Sequence, residues 1–280
     1  MKKLLCCSFL FITSLYGKYG YEIKTIEVPG FKKFSYAQWL YPQTWDLENY
    51  YTSELLQNIA KVIKPGMFVI DIGAHTGDTS VAYALAAGET GKVIAFECSP
   101  PAYEILKVNA LLHPNIIADQ RAITEEDGVF IFHYNDLEFQ NGGFGAALTG
   151  YSDGLNGKVE LKVQGINLEK YLNQNFNSEL HKIGFIKIDT EGYDHYILRS
   201  LSSFVKKYSP IIQCEILCNF LTLEEKIDYW NIIKSLGYTC YLRNIEYTLT
   251  DDMLQPLDFT SFINLPGLAK DLLCFPNNFN

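Results

Sequence analysis

Lys64-Pro65-Gly66-Met67-Phe68-Val69-Ile70-Asp71-Ile72-Gly73-Ala74-His75-Thr76-Gly77-Asp78-Thr79 decides how the rest of the chain is read. Met67 to Ile72 is an apolar run broken only by Asp71, short enough for a strand buried on both faces. A D-x-G-x-x-x-G turn follows, and then a helical pattern whose amino-terminal amides favour an anionic group. The turn predicts a ligand, with Gly73 and Gly77 letting the backbone pass close to it.

A second unit starts at Lys92. Val93 to Phe96 is another buried strand, and Glu97 closes it 24 residues after Gly73, where a carboxylate can accept bonds from both hydroxyls of a ribose. Ser99 suits a helix cap, Pro100 the first helical turn, and Ile105, Leu106 and Ala110 an apolar stripe. A dinucleotide fingerprint would need Gly at position 75 and Gly or Ala at 78, but these are His75 and Asp78. NAD is therefore demoted in favour of a nucleoside without a pyrophosphate, which points to S-adenosylmethionine.

Outward from this core, Asn115 to Ala118, Phe185 to Ile188, Pro210 to Ile216, Tyr238 to Leu242 and Leu272 to Phe275 read as further strands. Helices are expected at Asp194 to Lys207 and Leu223 to Leu236. Strands alternating with helices predict an α/β sheet with right-handed crossovers. Val129 to Tyr134 and Val159 to Val163 read as an antiparallel pair, joined by 24 residues, Asn135 to Lys158, with six glycines. That connection is a hairpin tip or a lid; as a lid it would offer Phe144 and Tyr151 to a substrate.

Towards the amino end, Glu22 to Ala37 predicts a hairpin around Pro29-Gly30, and Leu55, Leu56, Ile59, Val62 and Ile63 predict a helix. Residues 1–17 have the layout of a signal peptide or membrane-targeting leader: Lys2 and Lys3, then an apolar run too short to span a bilayer. A buried first strand or an interfacial anchor would read the same way. The divisions are thus a leader at 1–17, an extension at 18–66 and a main domain at 67–280. Location is either exported or membrane-associated through the leader, or else cytoplasmic.

Composition narrows the partners. With 23 basic and 32 acidic residues the net charge is −9, which opposes a broad grip on nucleic acid. Cys98, Cys214, Cys218, Cys240 and Cys274 lie beyond the leader, an odd number without framework or zinc spacing, and most read as small core residues.

Several ordered blocks together resemble the FkbM-type class I S-adenosylmethionine-dependent methyltransferases, over roughly Glu54 to Phe275. They are the opening stretch, Val93 to Glu97, Leu106-Lys107-Val108-Asn109, Ile186-Lys187-Ile188-Asp189-Thr190-Glu191-Gly192, Leu198-Arg199, and Glu215 at a strand end. The chain departs from the family pattern at His75, where Asn is usual, at the extra Cys98, and at Leu168-Glu169 in place of Leu-Asp. The resemblance implies a Rossmann-like class I methyltransferase fold, a seven-stranded mostly parallel sheet flanked by helices. It also implies that Asp71, Gly73, Gly77 and Glu97 bind the cofactor, with Asp119 to Ala122 around adenine. His75 and Thr76 are candidates for the methionine end; His75 could equally be a cap, and Asp119 a solvated turn carboxylate.

Asp189, Glu191 and Glu215 fall at strand ends and His195 begins the next helix, so all four are candidates to face one cleft as acceptor-positioning groups and general base. Alternatively Asp189 or Glu191 caps the helix near Asp194, and His195 is a surface imidazole. No metal is assigned, although such carboxylates can hold a divalent cation. The acceptor implied by the resemblance is a hydroxyl of a sugar, polyketide or related small molecule or glycan. An NAD(P)-dependent oxidoreductase and an exported binding module without catalysis are the alternatives.

Overall fold

The structure, a computed structural model, describes residues 20–40, 47–134, 147–148, 159–242 and 255–278. The expected leader lies outside the described residues, as do Phe144 and Tyr151 and nearly all of the connection that holds them.

The chain opens with a hairpin, β1 (Tyr21–Ile26) and β2 (Phe34–Trp39), followed by α1 (Leu47–Tyr50) and α2 (Ser53–Val62). The Thr52 hydroxyl starts α2 by accepting from the Leu55 amide, and its apolar face buries Leu55, Leu56 and Ile59. Then come β3 (Phe68–Ile72), α3 (Asp78–Ala87), β4 (Lys92–Phe96), α4 (Pro100–Leu112) and β5 (Ile116–Asp119). A second group holds β6 (Ala122–Thr124), β7 (Gly128–Tyr134), β8 (Ala147–Leu148), β9 (Val159–Asn167) and α5 (Leu168–Phe176). The rest is β10 (Ile183–Ile188), α6 (Asp194–Ser200), α7 (Ser202–Tyr208), β11 (Ile211–Ile216), α8 (Leu223–Ser235), β12 (Tyr238–Leu242), α9 (Phe259–Ile263) and β13 (Lys270–Pro276).

Seven strands form the main sheet in the order β12-β13-β11-β10-β3-β4-β5. All neighbours are parallel except β13, which runs antiparallel to both β11 and β12. Each of the seven strands expected from the apolar runs is in this sheet. Strand order reverses between β3 and β10, so their carboxyl ends open a crevice at the centre. β3 is wholly buried, as its unbroken apolar character requires. A smaller sheet, β6-β9-β7-β8, contains the expected antiparallel pair of β7 and β9. Ala122, Val163 and Phe130 of this sheet cluster with Cys98 and Tyr193, while its Ile123 and Ile166 join the main core. Cys98 follows the carboxyl end of β4 and Tyr193 immediately precedes α6, so the small sheet packs beside the carboxyl ends of β4 and β10.

Two expectations need correction. The helix read as one from Asp194 to Lys207 is two, α6 and α7, meeting at Leu201, whose buried side chain turns the chain into the core between them. Cys240 and Cys274 are not separate core residues but a disulfide, joined across directly paired positions of β12 and β13. They are 34 residues apart, and only the antiparallel register of the sheet edge brings them together. Packing is continuous across residue 66. Phe34, Tyr36, Tyr51, Leu55 and Ile59 share one core with Val69, Val81 and Val93.

No helix among the described residues is long and apolar enough to cross a membrane.

Candidate active site

The floor of the crevice is ionic. Asp71 has no exposed surface; its Oδ2 accepts from the Thr79 hydroxyl at 2.9 Å and the Ser80 hydroxyl at 2.6 Å. Its Oδ1 lies 3.5 Å from the Lys187 ammonium. Lys187, 4% exposed on β10, also donates to the Gly73 carbonyl at 3.2 Å and pairs with Asp189 at 3.1 Å. Burial pulls the lysine pKa down, but Asp189 and Asp71 outweigh it and hold the ammonium well above its ordinary value. Asp71 therefore lies beneath the turn and braces it from within.

The glycines also serve contacts inside the protein. Gly73 has φ +71°, and a Cβ there would meet the Asp189 carbonyl oxygen at 1.8 Å. At Gly77, φ +88°, a Cβ would meet Leu106 Cδ1 at 2.8 Å. The first glycine lets the ends of β3 and β10 touch; the second seats the turn on α4.

Glu97, buried at the end of β4, accepts from the His75 amide at 2.8 Å through one oxygen and from the Ser99 amide at 2.7 Å through the other. Each carboxylate oxygen has further lone-pair capacity. Burial raises the Glu97 pKa. Ser99 occupies the position before α4 without a side-chain cap bond, so its expected capping is not realised. Its buried Oγ and the buried Nε2 of His75 have no hydrogen-bond partner among the described residues. His75 does not start α3, since Gly77 is the residue before it. The imidazole is desolvated, which lowers its pKa and keeps it neutral. Thr76 is buried beside it. Asp119 ends β5 and forms a two-pronged ion pair with Arg121, so it is neither a free turn carboxylate nor a deeply buried one.

Across Gly73 the end of β10 continues into Asp189-Thr190-Glu191-Gly192. Neither Asp189 nor Glu191 caps α6: the preceding residue is Tyr193, with no side-chain cap bond. Asp194 organises this loop. Its Oδ2 accepts from the Thr190 amide and hydroxyl, at 3.1 and 2.6 Å, and its Oδ1 from the Glu215 amide at 2.9 Å, tying the loop to β11. Glu191 sits at φ +55°, an uncommon conformation for a residue with a side chain. Burial, then Asp189 and Asp194, raise its pKa to about 8. Burial, then Asp189 and Glu191, push Glu215 further up, and its buried Oε2 has no hydrogen-bond partner among the described residues. Asp189 is the open member, 36% exposed at its side chain.

His195 does not join this group. It is buried, with its ring 4.1 Å from that of Tyr196 and 5.6 Å from that of Tyr229, so it is not a surface imidazole either. No group of three or more His, Cys, Asp or Glu among the described residues is arranged to hold a metal ion.

Sequence reading missed three residues. Lys187 was legible in principle: a lysine inside an otherwise apolar buried strand demands a carboxylate partner. Asn109 gave no such signal in its spacing, because its partners come from segments distant in sequence, and Asp194 reads only as a helix-start carboxylate, since its tie to Glu215 spans 21 residues.

The methyltransferase FkbM domain model matches residues 71–240, more than half of the chain. The chain belongs to that family. It is a methyltransferase with S-adenosylmethionine as cofactor, and the match sets aside the oxidoreductase alternative. Among solved structures it is similar to methyltransferase FkbM from Methylobacillus flagellatus KT, at 11% identity and TM-score 0.46, covering 79% of this chain and 50% of that one. It is also similar to a SAM-dependent O-methyltransferase from Thermotoga maritima, at 12% identity and TM-score 0.44, covering 92% and 78%. A third is a precorrin-6y C5,15-methyltransferase from Geobacter metallireducens GS-15, at 10% identity and TM-score 0.41, covering 84% and 94%.

The crevice suits this cofactor. Glu97 has lone pairs to spare for ribose hydroxyls, and His75 Nε2 and Ser99 Oγ are buried polar atoms awaiting partners.

Proposed function

We propose that the protein methylates a hydroxyl oxygen of a sugar, polyketide or related small molecule or glycan. Glu97 takes the ribose hydroxyls, the turn from Gly73 to Gly77 with His75 and Thr76 takes the methionine end, and Asp119 stands on the adenine side. Asp71 contributes by bracing the turn. The cofactor, when bound, supplies a methyl group on a sulfonium.

The observation that carries the O-methylation reading is the carboxylate group of Asp189, Glu191 and Glu215 at the ends of β10 and β11, in backbone contact with the turn through Gly73. A hydroxyl must lose its proton as its oxygen takes the methyl group. Glu191, its pKa raised to about 8, has the affinity a proton acceptor needs near neutrality. Asp189, fixed by Lys187, orients the acceptor, and Glu215, protonated near neutrality, donates a hydrogen bond to it.

Titrating the full chain with S-adenosylmethionine and S-adenosylhomocysteine tests the cofactor site; absence of binding by either would sink the assignment. For the acceptor half, Glu191→Gln is expected to lower kcat by roughly 10²- to 10⁴-fold with little change in S-adenosylhomocysteine affinity. Wild-type turnover by that variant would remove Glu191 as the base.

A further inference from the structure

The amino-terminal hairpin and the segment after it precede the stretch matched by the family, residues 71–240, yet they reach the turn and the start of α3 at three places. Trp39, at the end of β2 and buried, lies with its ring centroid 5.8 Å from that of His75 at an interplanar angle of 53°. Asn109, on α4 with no exposed surface, accepts from the Ala37 amide at 2.8 Å and donates to the Thr76 carbonyl at 2.7 Å. One side-chain amide thus joins β2 to the turn. The Tyr51 hydroxyl, just before α2, donates to the Asp78 carbonyl at 2.9 Å.

Two of these contacts act on the turn where ligand binding is expected. His75 is left-handed at φ +49°, so its ring direction depends on what packs against it, and its buried Nε2 has no hydrogen-bond partner among the described residues. Thr76 is buried, and its carbonyl is oriented by Asn109.

We propose that the hairpin is a wall of the cofactor site, with Trp39 and Asn109 as positioning residues: Trp39 aims the His75 imidazole at the amino-acid end of the cofactor, and Asn109 sets the backbone at Thr76. This rests on the reading of the Gly73 to Gly77 turn as the cofactor cradle. The methyltransferase fold in this chain then includes a segment that belongs to the cofactor site although it comes before the first strand of the main sheet.

The test is calorimetric titration of S-adenosylhomocysteine into the full-length protein and its Trp39→Ala, Trp39→Phe, Asn109→Ala and Val28→Ala variants, with melting temperatures for each. Val28 is buried in the hairpin's share of the core, so Val28→Ala reports on loosening of the hairpin alone. Trp39→Ala and Asn109→Ala are expected to weaken binding on the order of tenfold, the worth of one well-made contact. Trp39→Phe, which keeps a ring against His75, should recover most of the loss. In steady state, KM for S-adenosylmethionine should rise more than kcat falls in both weakened variants. If wild type binds and the two alanine variants bind equally tightly, the proposal is overturned while the cofactor reading stands. Weakening by Val28→Ala as large as that by Trp39→Ala would also overturn it, since the effect would then be general stability. If wild type itself fails to bind, the cofactor reading falls and takes the proposal with it.

Discussion

The two sides of the crevice are built on opposite electrostatic terms. On the β3–β4 side, the carboxylates of Asp71 and Glu97 are engaged by hydroxyls, backbone amides and one lysine. On the β10–β11 side, Glu191 and Glu215 crowd Asp189 and Asp194, and burial with mutual repulsion raises the proton affinity of Glu191, Asp194 and Glu215. The first arrangement favours a fixed shape; the second favours groups that exchange protons. A reaction that holds one substrate still and takes a proton from the other needs both.

Lys187 serves both sides, so removing it should have the largest effect. Lys187→Met would leave Asp71 and Asp189 without their cation and is expected to cost about 3 to 5 kcal/mol of stability in urea unfolding. A loss under 1 kcal/mol would show that the two sides do not depend on it. Glu97→Ala tests the engaged side alone: a loss of about 1 to 3 kcal/mol in S-adenosylhomocysteine affinity is expected if the carboxylate holds the ribose. Unchanged affinity would remove that role.

pH separates the sides next. Glu191 and Asp194 have folded-state pKa values of about 8 and about 7, above their ordinary values, so the folded protein binds these protons more tightly than the unfolded chain. Their contribution to stability is complete below about pH 4 and is lost as pH rises through about 7 to 8. Melting temperature should therefore fall over that rise, and Glu191→Gln should flatten the fall. The same deprotonation creates negative charge for a sulfonium, so affinity for S-adenosylmethionine should increase between pH 6 and 8 by more than that for the uncharged-sulfur product. Parallel curves for the two ligands would place the titrating carboxylates out of reach of the sulfur. The smallest effect belongs to Arg121→Ala, whose pairing with Asp119 is partly exposed: under about 1 kcal/mol in stability.

The sheet was legible because buried parallel strands are written as unbroken apolar runs, and the Asp71 to Gly77 turn because its spacing is local. Glu97, Asp189 and Glu215 could be placed at strand ends from the same runs. What was not legible depends on distant segments meeting. The Asn109 amide links residues 37 and 76, which no spacing along the chain reveals. Cys240 finds Cys274 only through the edge-strand register. The hairpin looked like an appendage because its own pattern is complete, and its inward face shows as core only when α4 and α2 are folded beside it.

The touch between Gly73 and the Asp189 carbonyl leaves no slack at the centre of the crevice. The proposed donor turn and acceptor loop are spaced by atomic contact between two backbones, which cannot be shortened and, with Lys187 bonded to both sides, is not readily lengthened. If the proposed acceptor site holds, redesign of this protein for a larger or smaller acceptor has to work through the side chains at Thr190, Glu191 and Glu215. A residue bulkier than glycine at position 73 would spoil the reach of the transfer for every acceptor alike.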